Sequence, residues 1–289
     1  MKILICGATG FVGRHLTRTL LGAGHQVIRA VRTPREPDDI AVDFRNDSSK
    51  ETWLPRLEGV DAVINAVGLL RDSRSNPMQK LHTETPLALF AASVEAGVAR
   101  IVHLSALGVD NGVNVPYFTT RLATERALQA LPPEVHWLCM RPSVIYGEDG
   151  ASAQMFRQLA RLPVHVLPMG GTQTLQPVHI DDICAAVVRW LADLAASSRI
   201  VEAVGAEATT MRGMLDSYRE QLQRRPAWHV AMPASMVRLA ARVGDLIPSS
   251  PLCTDTYTML AAGNIAPAAK FAEVLGREPR SYRDFIGGR

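Results

Sequence analysis

The chain has few of the residues that mark disulfide-rich, metal-rich or membrane-spanning proteins. It contains only four cysteines, which follow no CxxC or histidine-linked spacing: Cys6, Cys139, Cys184 and Cys253. This usage indicates small apolar side chains in a reducing compartment and predicts neither disulfides nor a metal site. The longest apolar run, ICAAVVRWLADLAA, is broken by Arg189 and Asp193, so no uncharged stretch reaches membrane-spanning length.

The N-terminal run MKILICGATG is too short for a secretory signal. We therefore expect a cytoplasmic protein, and a matrix or plastid protein with a trimmed transit peptide stays open as an alternative.

Charge of one sign is also scarce, since the formal net charge is only +3 over 289 residues. The basic residues are scattered and form no block of about five or more like charges. Nucleic acid and anionic membrane are therefore not expected as main partners. A small-molecule substrate or a protein assembly is expected instead, and the oligomeric state stays open. Lysine is rare, supplying four of the 31 basic residues.

The first 150 residues alternate strand-like and helix-like segments. Strand-like runs lie at 2–7, 25–31, 61–67, 99–105 and 135–142, and helical periodicity lies at 11–22, about 49–58, 76–96 and 117–130. Such alternation predicts a parallel sheet covered by helices. We predict an α/β fold with a Rossmann-type doubly wound sheet, which binds ligands beyond the carboxyl ends of its strands.

After residue 150 the pattern becomes mostly helical. Amphipathic segments lie at 152–162, 179–194, 210–222, 233–246 and 270–276, with a late strand at 199–204. We predict two parts, a dinucleotide-binding domain over 1–150 and a smaller C-terminal lobe over 151–289 that packs on it and shares sheet elements.

The segment GATGFVG, between the first strand and the first helix, places three glycines at three-residue intervals. Its residues are Gly7, Ala8, Thr9, Gly10, Phe11, Val12 and Gly13. Glycines let the backbone turn sharply and approach a pyrophosphate, while the following helix offers N–H groups and a positive dipole end. In its context of strand, loop, helix and second strand, the segment predicts dinucleotide binding.

The end of the second strand predicts which dinucleotide is bound. An acidic residue there would bind the ribose hydroxyls of NAD, whereas an arginine accommodates the extra phosphate of NADP. The sequence has Arg32 and Arg35, with no carboxylate between the strand and Glu36. We therefore expect NADP(H) to be preferred over NAD(H). The alternative is that Arg32 is a solvated loop residue.

These motifs resemble the short-chain dehydrogenase/reductase superfamily, in its extended and atypical branches. The resemblance runs in order from residue 1 to about 195 and includes NAVG (65–68), LSALG (104–108), Tyr117-x-x-x-Arg121, RPSVIYG (141–147) and QPVHIDDI (176–183). Within the superfamily the chain is similar to NAD-dependent epimerase/dehydratase-like proteins and to the nucleotide-binding accessory subunit of respiratory complex I. The resemblance implies further cofactor contacts from Asp43, Phe44, Ala66, Val67, Gly68, Tyr117, Arg121 and Pro142.

The resemblance also implies the catalytic roles. Ser105 would position a substrate oxygen, Tyr117 would exchange a proton with it, and Arg121 would stand where the family has lysine. A phenol is a poor base at neutral pH unless a nearby positive charge stabilises its anion. Guanidinium can do this and can bind ribose hydroxyls, but it does not release a proton. Because the chain uses arginine in place of lysine almost everywhere, Arg121 is evidence neither that catalysis has been lost nor that the site is built for it.

Three functions follow as hypotheses. The first is an NADP(H)-dependent oxidoreductase that transfers hydride to or from a small or apolar carbonyl or alcohol. The second is a non-catalytic NADP(H)-binding protein, structural or sensory, that docks on a larger assembly. The third, a nucleotide-sugar epimerase or dehydratase, is ranked below both.

Other polar and apolar residues are expected to be structural. Tyr146 follows the sixth strand and is assigned to packing, with a substrate contact as the alternative. Arg141 is assigned a structural role, with a cofactor contact as the alternative. Asp181 and Asp182 are expected at a helix N-terminus and His179 in packing, so that no metal site is predicted. A stripe of apolar residues is expected in the core, with a substrate pocket as the alternative: Leu159, Leu162, Val164, Val166 and Leu167.

Overall fold

The computed structural model describes residues 1–247, 250 and 252–287, so the last two residues of the predicted C-terminal lobe lie outside the described residues. The backbone forms two compact units. The first consists of Met1–Arg141 with Cys184–Val201, and the second of Pro142–Ile183 with Glu202–Arg289.

Strands and helices alternate through most of the first unit, whereas several short strands follow one another without intervening helices in the second. The strands are β1 (Lys2–Cys6), β2 (Gln26–Val31), β3 (Asp39–Ala41), β4 (Ala62–Asn65), β5 (Arg100–Leu104), β6 (His136–Pro142), β7 (Ile145–Tyr146), β8 (Val164–Pro168), β9 (Thr174–Leu175), β10 (Val178–His179), β11 (Arg199–Ala203), β12 (Thr209–Thr210) and β13 (Trp228–Met232). The α-helices are α1 (Phe11–Gly22), α2 (Lys50–Trp53), α3 (Thr85–Glu95), α4 (Pro116–Gln129), α5 (Ala151–Arg161), α6 (Ile180–Ala192), α7 (Met211–Gln221), α8 (Ala234–Asp245), α9 (Thr254–Ala261) and α10 (Ala269–Leu275).

A seven-stranded sheet organises the fold, in the order β11-β6-β5-β4-β1-β2-β3. Strand β1 lies inside the sheet and pairs in parallel with both β2 and β4, so that Ile3 faces Val27 on one side and Ala62 on the other. The predicted Rossmann-type parallel sheet is confirmed, and the reversal of strand order beside β1 creates the switch point where such sheets bind ligands. Strand β3, at one edge, was not predicted.

The core explains why the central strands form where they do. Strand β5 is buried over its whole length, as are β4 and four of the five residues of β1. Near-continuous apolar runs of this kind suit strands covered on both faces. Trp53 and Leu57, both fully buried, and Phe90 fill the hydrophobic cluster beside the sheet.

Two of the predicted helices are not regular. The segment predicted at about 49–58 is the short helix α2 followed by a 3-10 turn over Leu54–Leu57. The segment predicted at 76–96 contains a π-helical turn over Lys80–Glu84 before α3 begins. Wide turns of this type often occur at functional sites. Helix α4, predicted at 117–130, begins at Pro116, where proline suits the first helical position.

The second unit holds most of the predicted C-terminal helices. Periodicity predicted helices α5, α7, α8 and α10 and the first turn of α6, which also belongs to this unit. It did not predict α9 or the short strand pairs β8–β13, β9–β12 and β7–β10. Its core is aromatic, with the buried rings of Tyr146 and Phe285 stacked at 4.7 Å between centroids. In the part of the chain that the structure describes, no helix combines the length and apolar character needed to span a bilayer.

Candidate functional site

The turn after β1 has no room for side chains at two of its glycines. Gly7 has φ +79°, and a Cβ atom built on it would lie 2.9 Å from the carbonyl carbon of Ala66. A Cβ atom on Gly13 would lie 2.1 Å from the carbonyl oxygen of Gly7. Both positions require glycine because real Cβ atoms do not approach backbone so closely. The first turn of α1 is thereby held tightly against the loop.

No side chain of the described residues caps the N-terminus of α1. Gly10 is the N-cap and has no side chain to accept from the first N–H groups of the helix, and the first turn contains no acidic residue. The N–H groups of a first turn and the helix dipole favour a phosphate at such a position. The cradle formed by Gly7, Gly10 and Gly13 therefore fits the pyrophosphate of a dinucleotide. Sequence reasoning had found these residues.

The segment Ala66–Gly68 connects the glycine turn with helix α4. The backbone N–H of Ala66 donates to Cys6 at 3.0 Å, which continues the pairing of β1 with β4. At the other end, a Cβ atom on Gly68 would lie 2.6 Å from Nη2 of Arg121. Residues after β1 and β4 and on α4 are thus brought together at the carboxyl edge of the sheet.

Arg121 is buried beneath this segment and is 5% exposed. Its Nη1 donates to the carbonyl oxygen of Leu104 at 2.5 Å, at the end of β5. Its guanidinium carbon lies 4.8 Å from the centroid of the Tyr117 ring, one helical turn earlier, so the predicted Tyr–Arg pair does share one helical face. A cation over an aromatic face is attracted by the ring quadrupole.

Three polar atoms of this region are buried with no hydrogen-bond partner among the described residues: Oγ of Ser105, Nε of Arg121 and Nε2 of His103. Ser105 follows β5 directly, and its backbone N–H donates to Met140 at 2.7 Å. Buried polar groups are normally paired, and an unpaired one at the edge of a sheet fits a site completed by a ligand. Ser105 and Arg121 have the donors that a substrate oxygen or a ribose hydroxyl would require.

Two buried histidines, which sequence reasoning missed, lie beside Arg121. Burial, with a smaller contribution from the charge of Arg121, lowers the pKa of His82 to about 2 and that of His103 to about 3. His82 accepts from the backbone N–H of Leu69 at 3.0 Å and contacts Thr120 at 3.2 Å through Nδ1. Its ring also meets Tyr117 edge-on at 5.7 Å. Two neutral imidazoles thus lie beside the helical face that carries Tyr117 and Arg121. No local sequence pattern predicts that these histidines are buried there.

Asp39, the first residue of β3, is a carboxylate beside β2 that has structural partners. Asp39 accepts from Nε of Arg29 at 2.6 Å and from the backbone N–H of Arg35 at 2.8 Å. The hydrogen bond from Arg29 is the main cause that lowers the pKa of Asp39 to about 2. Arg32 and Arg35 are exposed. Arg32 is close enough to Asp43 for its charge to contribute to lowering the pKa of that carboxyl. The phosphate contact expected from Arg32 and Arg35 stays a prediction.

Asp43 and Phe44, implied as adenine contacts, have structural partners. Arg45 donates to both oxygens of Asp43, with Nη2 to Oδ2 at 2.6 Å. This hydrogen bond is the main reason why the pKa of Asp43 is lowered. The ring of Phe44 is buried against Trp53 at 5.7 Å between centroids. Their contribution to cofactor binding stays a prediction.

Arg141 has the structural role preferred from sequence. Its Nη2 donates at 2.6 Å to Glu125, which is fully buried, and its Nη1 donates at 2.6 Å to Asp110. Burial alone disfavours its charge, but the hydrogen bonds and charge of Glu125 outweigh burial and raise the pKa of Arg141. The pair fixes α4 to β6. Pro142, the last residue of β6, belongs to the second unit. Its contact with the cofactor stays a prediction.

Within the second unit, the carboxylates of QPVHIDDI form ion pairs. Asp182 is fully buried in the first turn of α6 and accepts from Nη2 of Arg277 at 2.5 Å and from the backbone N–H of Arg280 at 2.7 Å. His179 packs against Tyr146 and Phe285 at 5.8 and 5.2 Å between ring centroids. The predicted helix-terminal and packing roles are confirmed.

The apolar stripe differs from the core packing expected for it. Four of its five residues are exposed by 39–55%, namely Leu159, Leu162, Val164 and Val166, and only Leu167 is buried. Val164 and Val166 lie on the exposed face of β8, which pairs with β13 in a two-stranded sheet, whereas Leu159 lies on the exposed face of α5 and Leu162 follows that helix.

The sequence agrees with this geometry over most of its length. Residues 3–203 match the model of the NAD dependent epimerase/dehydratase family. The chain belongs to this family. The resemblance inferred from the motifs is confirmed, and the match begins at β1 and ends with β11.

Curated relatives are similar over part of their length. The chain is 31% identical over 195 residues to a ceramide reductase of Caulobacter vibrioides, covering 65% of this chain and 60% of that protein. It is 26% identical over 201 residues to NADH dehydrogenase (ubiquinone) 1 alpha subcomplex subunit 9, mitochondrial, of Mus musculus, covering 65% and 52%. The matches thus span between half and two thirds of these relatives.

Solved structures share the fold. Human epimerase family protein SDR39U1 (isoform 2) with NADPH superposes with a TM-score of 0.76 at 19% identity, covering 99% of this chain and 98% of that one. MoeE5 in complex with UDP-glucuronic acid and NAD superposes with a TM-score of 0.75 at 20% identity, covering 100% and 97%. At these identities the likeness establishes the architecture alone.

Proposed function

We propose that the protein is an NADP(H)-binding oxidoreductase that transfers hydride to or from a small or apolar carbonyl or alcohol. The supporting observation is the segment Ala66–Gly68, which contacts the glycine turn at one end and Arg121 at the other. A nucleotide held by the turn would extend along the carboxyl edge of the sheet toward Tyr117 and Ser105. Membership in an NAD-dependent family supports a nicotinamide cofactor.

The reaction divides between cofactor and chain. A bound nicotinamide would supply a hydride to the carbonyl carbon, and the carbonyl oxygen would then carry the negative charge of an alkoxide. Tyr117 then donates its phenolic proton to the alkoxide oxygen, which the hydroxyl of Ser105 positions. The charge of Arg121, 4.8 Å above the ring, stabilises the resulting phenolate. Because guanidinium does not release a proton, the phenolate is reprotonated by solvent rather than through the side chain of Arg121.

The substrate class rests on the surroundings of Tyr117. The neighbouring rings are Phe118 at 5.9 Å and the neutral His82 at 5.7 Å between centroids. Neither ring carries a charge at neutral pH, and the nearby cation of Arg121 is buried and donates to Leu104, so these surroundings of Tyr117 do not favour an anionic group. An apolar carbonyl or alcohol suits it better.

The direct test measures oxidation of NADPH with a panel of aldehydes, ketones and quinones, using Tyr117→Phe beside the wild-type protein. We expect kcat to fall by about 10²–10⁴-fold in the variant while NADPH affinity stays within a few-fold. Tyr257→Phe, which changes a tyrosine of the second unit, is the matched control and should retain full activity. Equal turnover in Tyr117→Phe and wild type would refute the assigned role.

A second function, NADP(H) binding without catalysis, has its own supporting observation. Arg121 is committed to the carbonyl of Leu104 and packed against Gly68, as a purely structural side chain would be. The similarity to a subunit of a mitochondrial NADH dehydrogenase favours the same reading. Tight NADPH binding, no turnover with any substrate of the panel and co-purification with a stable protein partner would establish this function in place of the first.

A nucleotide-sugar epimerase or dehydratase is the third proposal, supported by the family match and by neighbours solved with UDP sugars. Conversion of UDP-glucose or UDP-glucuronic acid by the purified protein, followed by chromatography, decides it.

A further inference from the structure

Two histidines and an aspartate meet in the second unit, on three elements that are distant in sequence. His165 lies on β8, His229 on β13 and Asp216 on α7. The two strands are parallel neighbours and place His165 and His229 in register. One ligand atom from each of the three side chains lies within 4.8 Å of the other two.

The carboxylate is turned toward the histidines. Oδ1 of Asp216 lies 2.8 Å from Nε2 of His229 and 3.9 Å from Nδ1 of His165. Oδ2 instead faces Nε of Arg212 at 3.8 Å, one helical turn away on α7. A second contact of this kind orients a ligating carboxylate. Oδ1 is hydrogen-bonded to Nε2 of His229, and both atoms would turn to a metal ion placed between them.

His165 provides the observation that points to a ligand. It is 3% exposed, and neither of its ring nitrogens has a hydrogen-bond partner among the described residues. The carbonyl of Ala160 lies close enough to favour the protonated ring but outside hydrogen-bonding geometry. An imidazole buried without partners is costly, and a metal ion would satisfy it.

The distances fit a small divalent cation. Ligand bonds of about 2.0–2.1 Å in a tetrahedral site place neighbouring ligand atoms about 3.3 Å apart. The two contacts of Oδ1, at 2.8 and 3.9 Å, lie on either side of that value, and all three ligand atoms lie within 4.8 Å of one another, so side-chain shifts of about 1 Å complete the geometry. The side chain of Asp216 is 41% exposed, so water can reach a fourth position.

The surrounding charges set limits on affinity. Arg212 and Arg219 are the cationic side chains facing the cluster, and Asp216 is its anion. Arg219 is engaged by the carbonyls of Ala160 and Leu162, at 2.9 and 2.8 Å. Nitrogen and carboxylate ligands in a set of three, with an open fourth position, are typical of zinc and unsuited to calcium or magnesium.

We propose that His165, Asp216 and His229 form a zinc-binding site with a solvent-accessible fourth position. It is independent of the proposed oxidoreductase function, because all three ligands belong to the second unit. Sequence reasoning found no metal site, since these residues show no ligand spacing along the chain.

The test is calorimetric titration of the EDTA-treated, dialysed protein with Zn²⁺, for wild type, Asp216→Asn and His229→Gln. We expect one equivalent bound by wild type and an affinity at least about tenfold weaker in each variant, since even second-shell losses cost 10–100-fold. His15→Gln, which removes a histidine of the first unit, should bind as wild type does. Co²⁺ loading should give the visible absorption of tetrahedral cobalt in wild type and His15→Gln only.

Asp216→Asn keeps the size of the side chain, so it tests the site even if His165 and His229 variants fold poorly. Circular dichroism of the metal-free proteins identifies any variant that does. Failure of wild type to bind Zn²⁺, or equal binding by wild type and Asp216→Asn, would overturn the proposal.

Discussion

Arg121 and Gly68 are in such close contact that any side chain at position 68 would displace the guanidinium. The Cβ atom that an alanine would add stands 2.6 Å from Nη2 of Arg121. The same guanidinium holds the end of β5 through Leu104 and covers the ring of Tyr117. The position of the cation at the candidate site is therefore set by the absence of a side chain after β4.

Replacing Gly68 by alanine tests this contact. We expect Gly68→Ala to lower the free energy of unfolding by about 1–3 kcal/mol, as overpacking commonly does, and to weaken NADPH binding. Lysine lacks the second guanidinium nitrogen, so Gly68→Ala should cost less in an Arg121→Lys background. A double-mutant cycle by urea denaturation measures the coupling. Additive effects of the two substitutions would contradict the contact.

The glycine turn makes a prediction with a control in the same helix. Gly13→Ala would place Cβ at 2.1 Å from the oxygen of Gly7, whereas Gly22→Ala meets no atom within 4 Å. We expect saturating NADPH to raise the melting temperature of wild type and Gly22→Ala but not that of Gly13→Ala. At a ligand concentration of 100 times Kd the expected stabilisation is about 2.7 kcal/mol. An unchanged shift in Gly13→Ala would refute the cradle.

The buried pair of Arg141 and Glu125 should stabilise the first unit. Glu125→Gln leaves a buried guanidinium with a neutral partner, and we expect a loss of about 3 kcal/mol in the free energy of unfolding. Asp110→Asn changes the other partner of Arg141, whose side chain is 55% exposed, and should cost about 1 kcal/mol or less. Equal losses in the two variants, measured by urea denaturation, would count against the burial argument.

His82 and His103 predict a pH dependence of stability. Their folded-state pKa values, about 2 and about 3, lie below the value of 6.5 expected when unfolded. Below pH 6.5 only the unfolded chain binds these protons, so stability falls as pH falls, down to the folded-state values. Each histidine should cost about 2 kcal/mol between pH 7.5 and pH 5.

Urea denaturation at the two pH values measures the loss, and His103→Asn should remove about half of the part due to this pair. A variant with the same pH dependence as wild type would show that folding does not lower the pKa of His103.

Local patterns predicted the parts of the fold that have local causes. Strands β1, β2, β4, β5 and β6 carry apolar runs, and the glycines of the first turn have fixed spacing, so both were found from sequence. Strand β3 was missed because its three residues, Asp39–Ala41, carry no apolar run and pair only with β2. Strand β13 was missed because most of it is exposed, and its pairing with β8 is tertiary.

In the candidate site, too, the sequence predicted the relationships that depend on local spacing and missed those that depend on tertiary packing. Tyr117 and Arg121 are one turn apart, so their shared face followed from helical geometry. The contacts of Arg121 with Gly68 and Leu104 depend on how α4 packs on the ends of β4 and β5, which no spacing encodes. The burial of His82 and the pairing of Asp39 with Arg29 likewise required the folded arrangement.

The central claim is that the glycine turn and Arg32 bind NADP(H). It is tested most directly by fluorescence titration of the purified protein with NADPH and, separately, with NADH. We expect tight NADPH binding and weaker NADH binding. We also expect Arg32→Ala to lower the affinity for NADPH alone, and Arg18→Ala, on the exposed face of α1, to change the affinity for neither nucleotide. Preference for NADH, or an NADPH affinity unchanged by Arg32→Ala, would contradict the assignment of the phosphate contact, and binding of neither nucleotide would contradict the claim as a whole.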